Sequence, residues 1–142
     1  MCCGGGGGSD TLMGGIGRDT MTGGAAADHF VFTASFETGF GADTADIIKD
    51  FNPVAGDQID LIDLSAIDAN LQAGSVTDDA FSFIGAHAFN NVAGELHYHK
   101  VNPAGTANDH TLVSGDINGD GIADFVICLD GLITLKGVDF VL

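Results

Sequence analysis

Residues 5–31 read GGGGSDTLM, GGIGRDTMT and GGAAADHFV, one nine-residue pattern written three times without a break. Each unit opens on a glycine pair and carries Gly8, Gly17 or Ala26 at its fourth position. Its sixth position is Asp10, Asp19 or Asp28, and its eighth is Leu12, Met21 or Phe30. Glycine tolerates positive φ and close backbone approach, so the first six residues of a unit can reverse the chain with carbonyl oxygens pointing inward. The last three form a short strand whose middle side chain points into a core, where Leu12, Met21 and Phe30 are predicted to stack. One unit cannot bury that face alone, whereas stacked neighbours can. The competing reading is a flexible glycine-rich linker with solvated acids. Three units in register favour the solenoid, with Ala26 a strained substitute for a turn glycine.

The pattern resembles the G-G-x-G-x-D-x-U-x repeat of the RTX, or hemolysin-type, calcium-binding proteins. That resemblance implies a β-roll in which two units make a coil and Ca2+ sits between turns one coil apart, held by Asp carboxylates and glycine-rich backbone carbonyls. Carried onto this chain, the ligands come from Gly5, Gly6, Gly8 and Asp10, from Gly14, Gly15, Gly17 and Asp19, and from Gly23, Gly24, Ala26 and Asp28. It pairs Asp10 with Asp28 and Asp19 with Glu37. Asp46, nine residues beyond Glu37, would close a further site with Asp28. The apolar position lapses at Gly39 and resumes at Ile48, so residues 32–46 read as a degenerate exit coil.

Charge narrows the partners. Four Lys and Arg against 20 Asp and Glu give −16, which disfavours nucleic acid and anionic membrane and favours cations. No apolar run is long enough to span a bilayer, and no basic-then-apolar leader opens the chain, so neither membrane insertion nor a classical signal peptide is expected. The three cysteines offer no disulfide framework; Cys2 and Cys3 stand at an end expected to fray, and Cys128 reads as a small core residue.

From residue 45 glycine thins and alternation appears. Strands are predicted over Asp46–Phe51, Gln58–Leu64, Ala80–Ile84, Glu95–Val101, Thr111–Gly115, Ile122–Leu129 and Leu132–Lys136, with a turn over Asn52–Asp57. Short helical turns are predicted from Ser65 to Leu71 and from Thr77. The stretches DIIKDFNPVAGDQIDL, AFSFIGAHAF, GELHYHK, GDINGDGIADFVICL and DFVL, in that order, resemble the C-terminal region of serralysin-type secreted metalloproteases; LIDLS departs slightly from the family's simpler strand. The resemblance implies a β-sandwich capping the β-roll, carriage by a type I ABC exporter, and an export signal at Asp139, Phe140, Val141 and Leu142. The expected fold is therefore all-β: a short parallel β-roll (β-solenoid) in residues 1–46, then an antiparallel β-sandwich in 47–142.

Two further clusters invite a metal. Asp116, Asn118 and Asp120, with Gly121 next and Asp124 beyond, match the start of an EF-hand loop, but Ile127 stands where the bidentate Glu belongs. A tight Asx-rich hairpin accounts for the same letters and is preferred over a weak ion site. His97 and His99 share the solvent face of a strand, and His110 could lie across from them; exposed histidines are preferred over a zinc site. No H-E-x-x-H occurs, so a serralysin catalytic centre is absent from this sequence.

The expected function is a non-catalytic Ca2+-binding module of a secreted, extracellular protein. It would fold outside the cell, support export, and stabilise an upstream catalytic or repeat domain. The alternatives are the C-terminal fragment of a serralysin-type zinc protease and a calcium-dependent adhesin or glycan binder.

Overall fold

The computed structural model describes residues 2–54, 59–72, 74–102 and 108–142. Its strands are β1 (Cys2–Gly7), β2 (Thr11–Leu12), β3 (Thr20–Ala25), β4 (His29–Val31), β5 (Asp46–Ile48), β6 (Leu61–Asp63), β7 (Ser82–Phe83), β8 (Glu95–Val101), β9 (His110–Asp116), β10 (Phe125–Asp130) and β11 (Phe140–Val141). They form two sheets, β1-β3-β5-β10-β9-β8-β7 and β11-β6-β4-β2. The fold is all-β, and its repeat segment is a parallel β-roll. β1, β3 and β5 stack in parallel on one side, with β2, β4 and β6 on the other.

The apolar eighth positions do what their period demands. Leu12, Met21 and Phe30 are buried in one cluster with Ile48 and Ile62, and Ile48 lies beside Met21 in the ladder. The same cluster continues through Leu96, Phe125, Ile127, Leu129 and Phe140. β5 is the seam, parallel to β3 on one edge and to β10 on the other. From β10 the sheet turns antiparallel through β9 and β8. Cys2 and Cys3 belong to β1, where Cys3 pairs with Met21 and packs against the core. Cys128 is buried beside Ala45, Leu112 and Val126.

Several predicted elements shorten or vanish for local reasons. The strand at Asp46 stops at Ile48, and Gln58, at the head of the next prediction, lies outside the described residues, as does the 55–57 part of the predicted turn. No helix forms at 65–71: Ile67 N–H closes a single turn on the Leu64 carbonyl (2.9 Å), and Asp63 Oδ1 takes both the N–H and the hydroxyl of Ser65. At 77–79 the hydroxyls of Ser75 and Thr77 both donate to the Asp79 carboxylate, a local bonding scheme that competes with helical turns. Residues 132–136 are not strand; a 3-10 turn over Gly137–Asp139 leads directly into β11.

Candidate metal centre

Each coil reverses at two edges. One edge holds the turns between β1 and β2, between β3 and β4, and between β5 and β6. The other holds the turns between β2 and β3 and between β4 and β5. Along the first edge Asp10 N–H donates to Asp28 Oδ1 (2.8 Å), 18 residues on. Asp28 N–H donates in turn to Asp60 Oδ1 (2.9 Å), 32 residues on. Along the second, Asp19 N–H donates to Asp46 Oδ1 (2.8 Å), 27 residues on.

The structure brings Asp10 and Asp28 together at the expected step but joins Asp19 to Asp46 rather than to Glu37. Residues 32–45 loop out between β4 and β5 and carry a 3-10 turn over Ser35–Glu37. This lengthens the coil by one unit and turns the Glu37 carboxylate to Thr33, which donates its N–H (2.8 Å) and its hydroxyl. Asp28 likewise meets Asp60 rather than Asp46. Asp60 escaped the nine-residue ruler because the turn before it is longer. Its signal was an aspartate two residues before a core apolar side chain, shared by Asp46 with Ile48 and Asp60 with Ile62.

Asp28 and Asp46 each use Oδ1 in these pairings and leave Oδ2 without a hydrogen bond. Oδ2 of Asp10, Asp19, Asp28 and Asp46 is buried and makes no hydrogen bond. The opening glycines leave room for these oxygens. A Cβ on Gly5 would lie 2.5 Å from Asp10 Oδ2 and 2.6 Å from the Gly23 carbonyl oxygen. One on Gly23 would lie 2.3 Å from Asp28 Oδ2, and one on Gly14 would lie 3.1 Å from both Asp19 Oδ2 and Asp46 Oδ2. The glycines are cradles for oxygen, not merely turn formers. Gly6, Gly8, Gly15, Gly17 and Gly24 take positive φ, and Ala26 is forced to φ +91° in the same role.

Such burial is costly for an anion. It pushes Asp46, which is wholly inaccessible, up to about 6; the Asp19 N–H bond opposes this, and the charges of Asp19 and Glu37 add to it. Burial also raises Asp60, against the N–H bonds from Asp28 and Asn52. Asp60 differs from the others in having both oxygens engaged, Oδ2 by Asn52 N–H (2.9 Å). Asp50 is similarly seated on the N–H groups of Gly23 and Gly24.

Among the described residues no three His, Cys, Asp or Glu side chains converge as a metal site. A cation in the roll would therefore rest on carboxylate pairs completed by backbone carbonyls. These hard oxygen donors are the set that suits Ca2+ rather than a transition metal. Around Asp116 the oxygens are occupied by the backbone. Asp116 accepts from Gly119 N–H (2.6 Å) and Gly121 N–H (2.8 Å), and Asp124 accepts from Ile117 N–H (2.8 Å) and the Asn118 amide (2.8 Å). Asp120 accepts from Ile122 N–H (2.8 Å). His97 Nδ1 lies 3.0 Å from the His87 carbonyl oxygen, and its ring centroid is 5.9 Å from that of His99. His110 sits opposite Val101 and bonds the Asn108 carbonyl.

Asp139 caps its 3-10 turn by accepting from Lys136 N–H (2.6 Å). Phe140 is buried with its ring 5.1 Å from Phe83, Val141 pairs with Asp63, and Leu142 packs against the core.

Residues 4–34 match the family model described as RTX calcium-binding nonapeptide repeat (4 copies). The ion such repeats take is Ca2+. No curated protein matches the chain. Among solved structures it is similar to the AlgE6R3 subunit of the Azotobacter vinelandii mannuronan C5-epimerase, at 24% identity and a TM-score of 0.60, over 99% of this chain and 66% of that one. The chain thus spans just under two thirds of that neighbour, and the likeness speaks to the fold. No helix among the described residues is long and apolar enough to cross a membrane.

Proposed function

We propose that the chain is a non-catalytic module that folds on binding extracellular Ca2+ and stabilises a secreted protein. The observation that carries this reading is the buried carboxylate oxygens of Asp10, Asp28 and Asp46 that accept no hydrogen bond, with Asp10 beside Asp28 on one edge and Asp46 beside Asp19 on the other. Gly5, Gly6, Gly8, Gly23, Gly24 and Ala26 would complete the first site through their turns, and Gly14, Gly15 and Gly17 the second. When bound, Ca2+ supplies positive charge and coordination for buried carboxylate oxygens that accept no hydrogen bond. Without it the carboxylates repel, and the glycine-rich turns lose on the order of 1–2 kcal/mol per residue on ordering. One ion per edge is the stoichiometry these oxygens support. The test is titration of EDTA-stripped protein with Ca2+ and with Mg2+, followed by circular dichroism and calorimetry. Cooperative β signal with Ca2+ alone is expected, at roughly 10⁻⁴ to 10⁻³ M for an extracellular module. Equal structure in EDTA sinks the reading.

The proposal extends to export. The order of motifs resembles the serralysin C-terminal region, and Asp139–Leu142 would be the segment a type I exporter reads. In the fold that segment is built into the second sheet, so an exporter would have to engage it before folding. A catalytic or repeat domain carried upstream would be the passenger, a zinc protease among the possibilities. Deletion of 139–142 should abolish export from cells carrying such an exporter; undiminished export removes this part of the proposal.

A further inference from the structure

The loop that displaced Glu37 does something else as well: it builds a half-open hollow of about 460 Å3 against the turn of the preceding coil. Its walls carry Ile16, Phe36 and Phe40, exposed at 81%, 65% and 72%. Glu37 and Asp43 line the same hollow with Arg18, whose Nε donates to the Ala45 carbonyl (3.3 Å). Three large apolar side chains left in water around one concavity mark a docking surface.

The floor of this hollow is tied to the ion site. Thr38 Oγ1 accepts Asp46 N–H (2.9 Å) and donates to the Val126 carbonyl (2.6 Å), while Gly39 O accepts Val126 N–H (2.8 Å). Asp46 is the residue whose Oδ2 lies with Asp19 Oδ2 around Gly14. Whatever fixes Asp46 fixes the floor on which Phe36 and Phe40 stand.

Charge decides the occupant. A second copy would bring another −16, and a polyanion or anionic lipid surface would be repelled in the same way. A cationic segment is drawn in by the overall field and by Glu37 and Asp43, and its Lys or Arg heads can lie over the two phenyl faces. We infer that the groove between residues 16–18 and 36–44 binds a cationic amphipathic peptide segment of a partner protein, and does so when the Asp19–Asp46 site holds Ca2+. This rests on the calcium-folding reading above.

The experiment uses the full chain and three labelled amphipathic peptides of equal leucine content, with lysine, glutamine or glutamate on the polar face. Fluorescence anisotropy is read in saturating Ca2+ and in EDTA, with circular dichroism on the same samples. The lysine peptide should bind in Ca2+, more weakly as salt rises, and the glutamate peptide should not. Phe36→Ser with Phe40→Ser should weaken binding by about tenfold or more, since both rings leave the contact. Asp43→Asn should weaken it by about threefold. Both variants alter exposed side chains and should keep the wild-type folding midpoint in Ca2+. Binding of the glutamate peptide, or undiminished binding by the double variant, overturns the proposal. Calcium-dependent folding without lysine-peptide binding overturns the groove alone. Binding in EDTA by a chain already folded there overturns the gating together with the calcium-folding reading.

Discussion

Replacing Asp46 by asparagine should stabilise the ion-free protein and destabilise the calcium-bound one. Asp46 is wholly buried, one oxygen holding Asp19 N–H and the other lying with Asp19 Oδ2 around Gly14. Its pKa rises from 3.8 to about 6, chiefly through burial. A raised carboxylate pKa means that the fold prefers the protonated form. The ion-free protein therefore gains stability as pH falls from above 6 toward 4, and above 6 it bears the full cost. A shift of about two units corresponds to roughly 3 kcal/mol. Asp46→Asn keeps the acceptor for Asp19 N–H, removes the charge, and turns an amide donor toward the Asp19 oxygen. Folding in EDTA at pH 7.5, driven by added TMAO and followed by circular dichroism, should need less osmolyte for the variant by roughly that free energy, with the pH dependence between 4 and 6 flattened. In saturating Ca2+ it should be less stable than wild type and bind one ion fewer by calorimetry. A variant less stable than wild type in EDTA at pH 7.5 would refute the argument that this carboxylate is buried at a cost.

Other expectations follow from single residues. Ala26 stands at φ +91° where its sister units have glycine, so Ala26→Gly should raise stability by about 1 kcal/mol. That is the conformational strain relieved less the entropy that glycine adds to the unfolded chain, and it is read as a rise in Tm. Gly24→Ala should do the reverse, because its Cβ would fall 2.0 Å from the Gly6 carbonyl oxygen at a φ of +104°. A loss of roughly 3 kcal/mol or more in urea unfolding with Ca2+ is expected. Because protons and Ca2+ compete for Asp46, calcium affinity by titration calorimetry should weaken as pH falls through about 6.

The repeats were legible because two periods coincide in them: glycines where the chain must reverse, and an apolar residue where it must enter the core. Leu12, Met21 and Phe30 are buried together as that pattern requires. The same ruler misled once the turns grew. Glu37 keeps the nine-residue step but is spent on Thr33, whereas Asp60 breaks the step and still takes its place in the ladder after Asp28. Counting could not distinguish them, because the ladder depends on which residue returns to the edge, not on how many precede it. The shared mark was the aspartate two residues before a core side chain, which holds at Asp46 and Asp60 and fails at Glu37, followed by Gly39. The helical turns predicted at Ser65 and Thr77 failed for a related reason: hydroxyls and carboxylates that can cap a helix can equally satisfy one another in a bend.

The position of β5 makes a last prediction about cooperativity. We propose residues 1–46 and 47–142 as roll and sandwich, and β5 begins at that boundary, hydrogen-bonded to β3 on one side and β10 on the other. Its first residue is Asp46, so the strand that joins the two parts also carries a carboxylate the fold cannot satisfy. Release of an ion there should loosen the Asp19 contact, the Thr38 brace to Val126 and the seam itself. The core offers no place to stop, since Met21 from the roll and Ile48 from the seam strand are in one cluster with Phe125 and Ile127. Calorimetric unfolding in Ca2+ should therefore give a single transition with matching van't Hoff and calorimetric enthalpies, and its midpoint should move as a whole when Ca2+ is varied. Two transitions, with only the first sensitive to Ca2+, would show that the antiparallel part stands without the roll and that β5 transmits nothing across the seam.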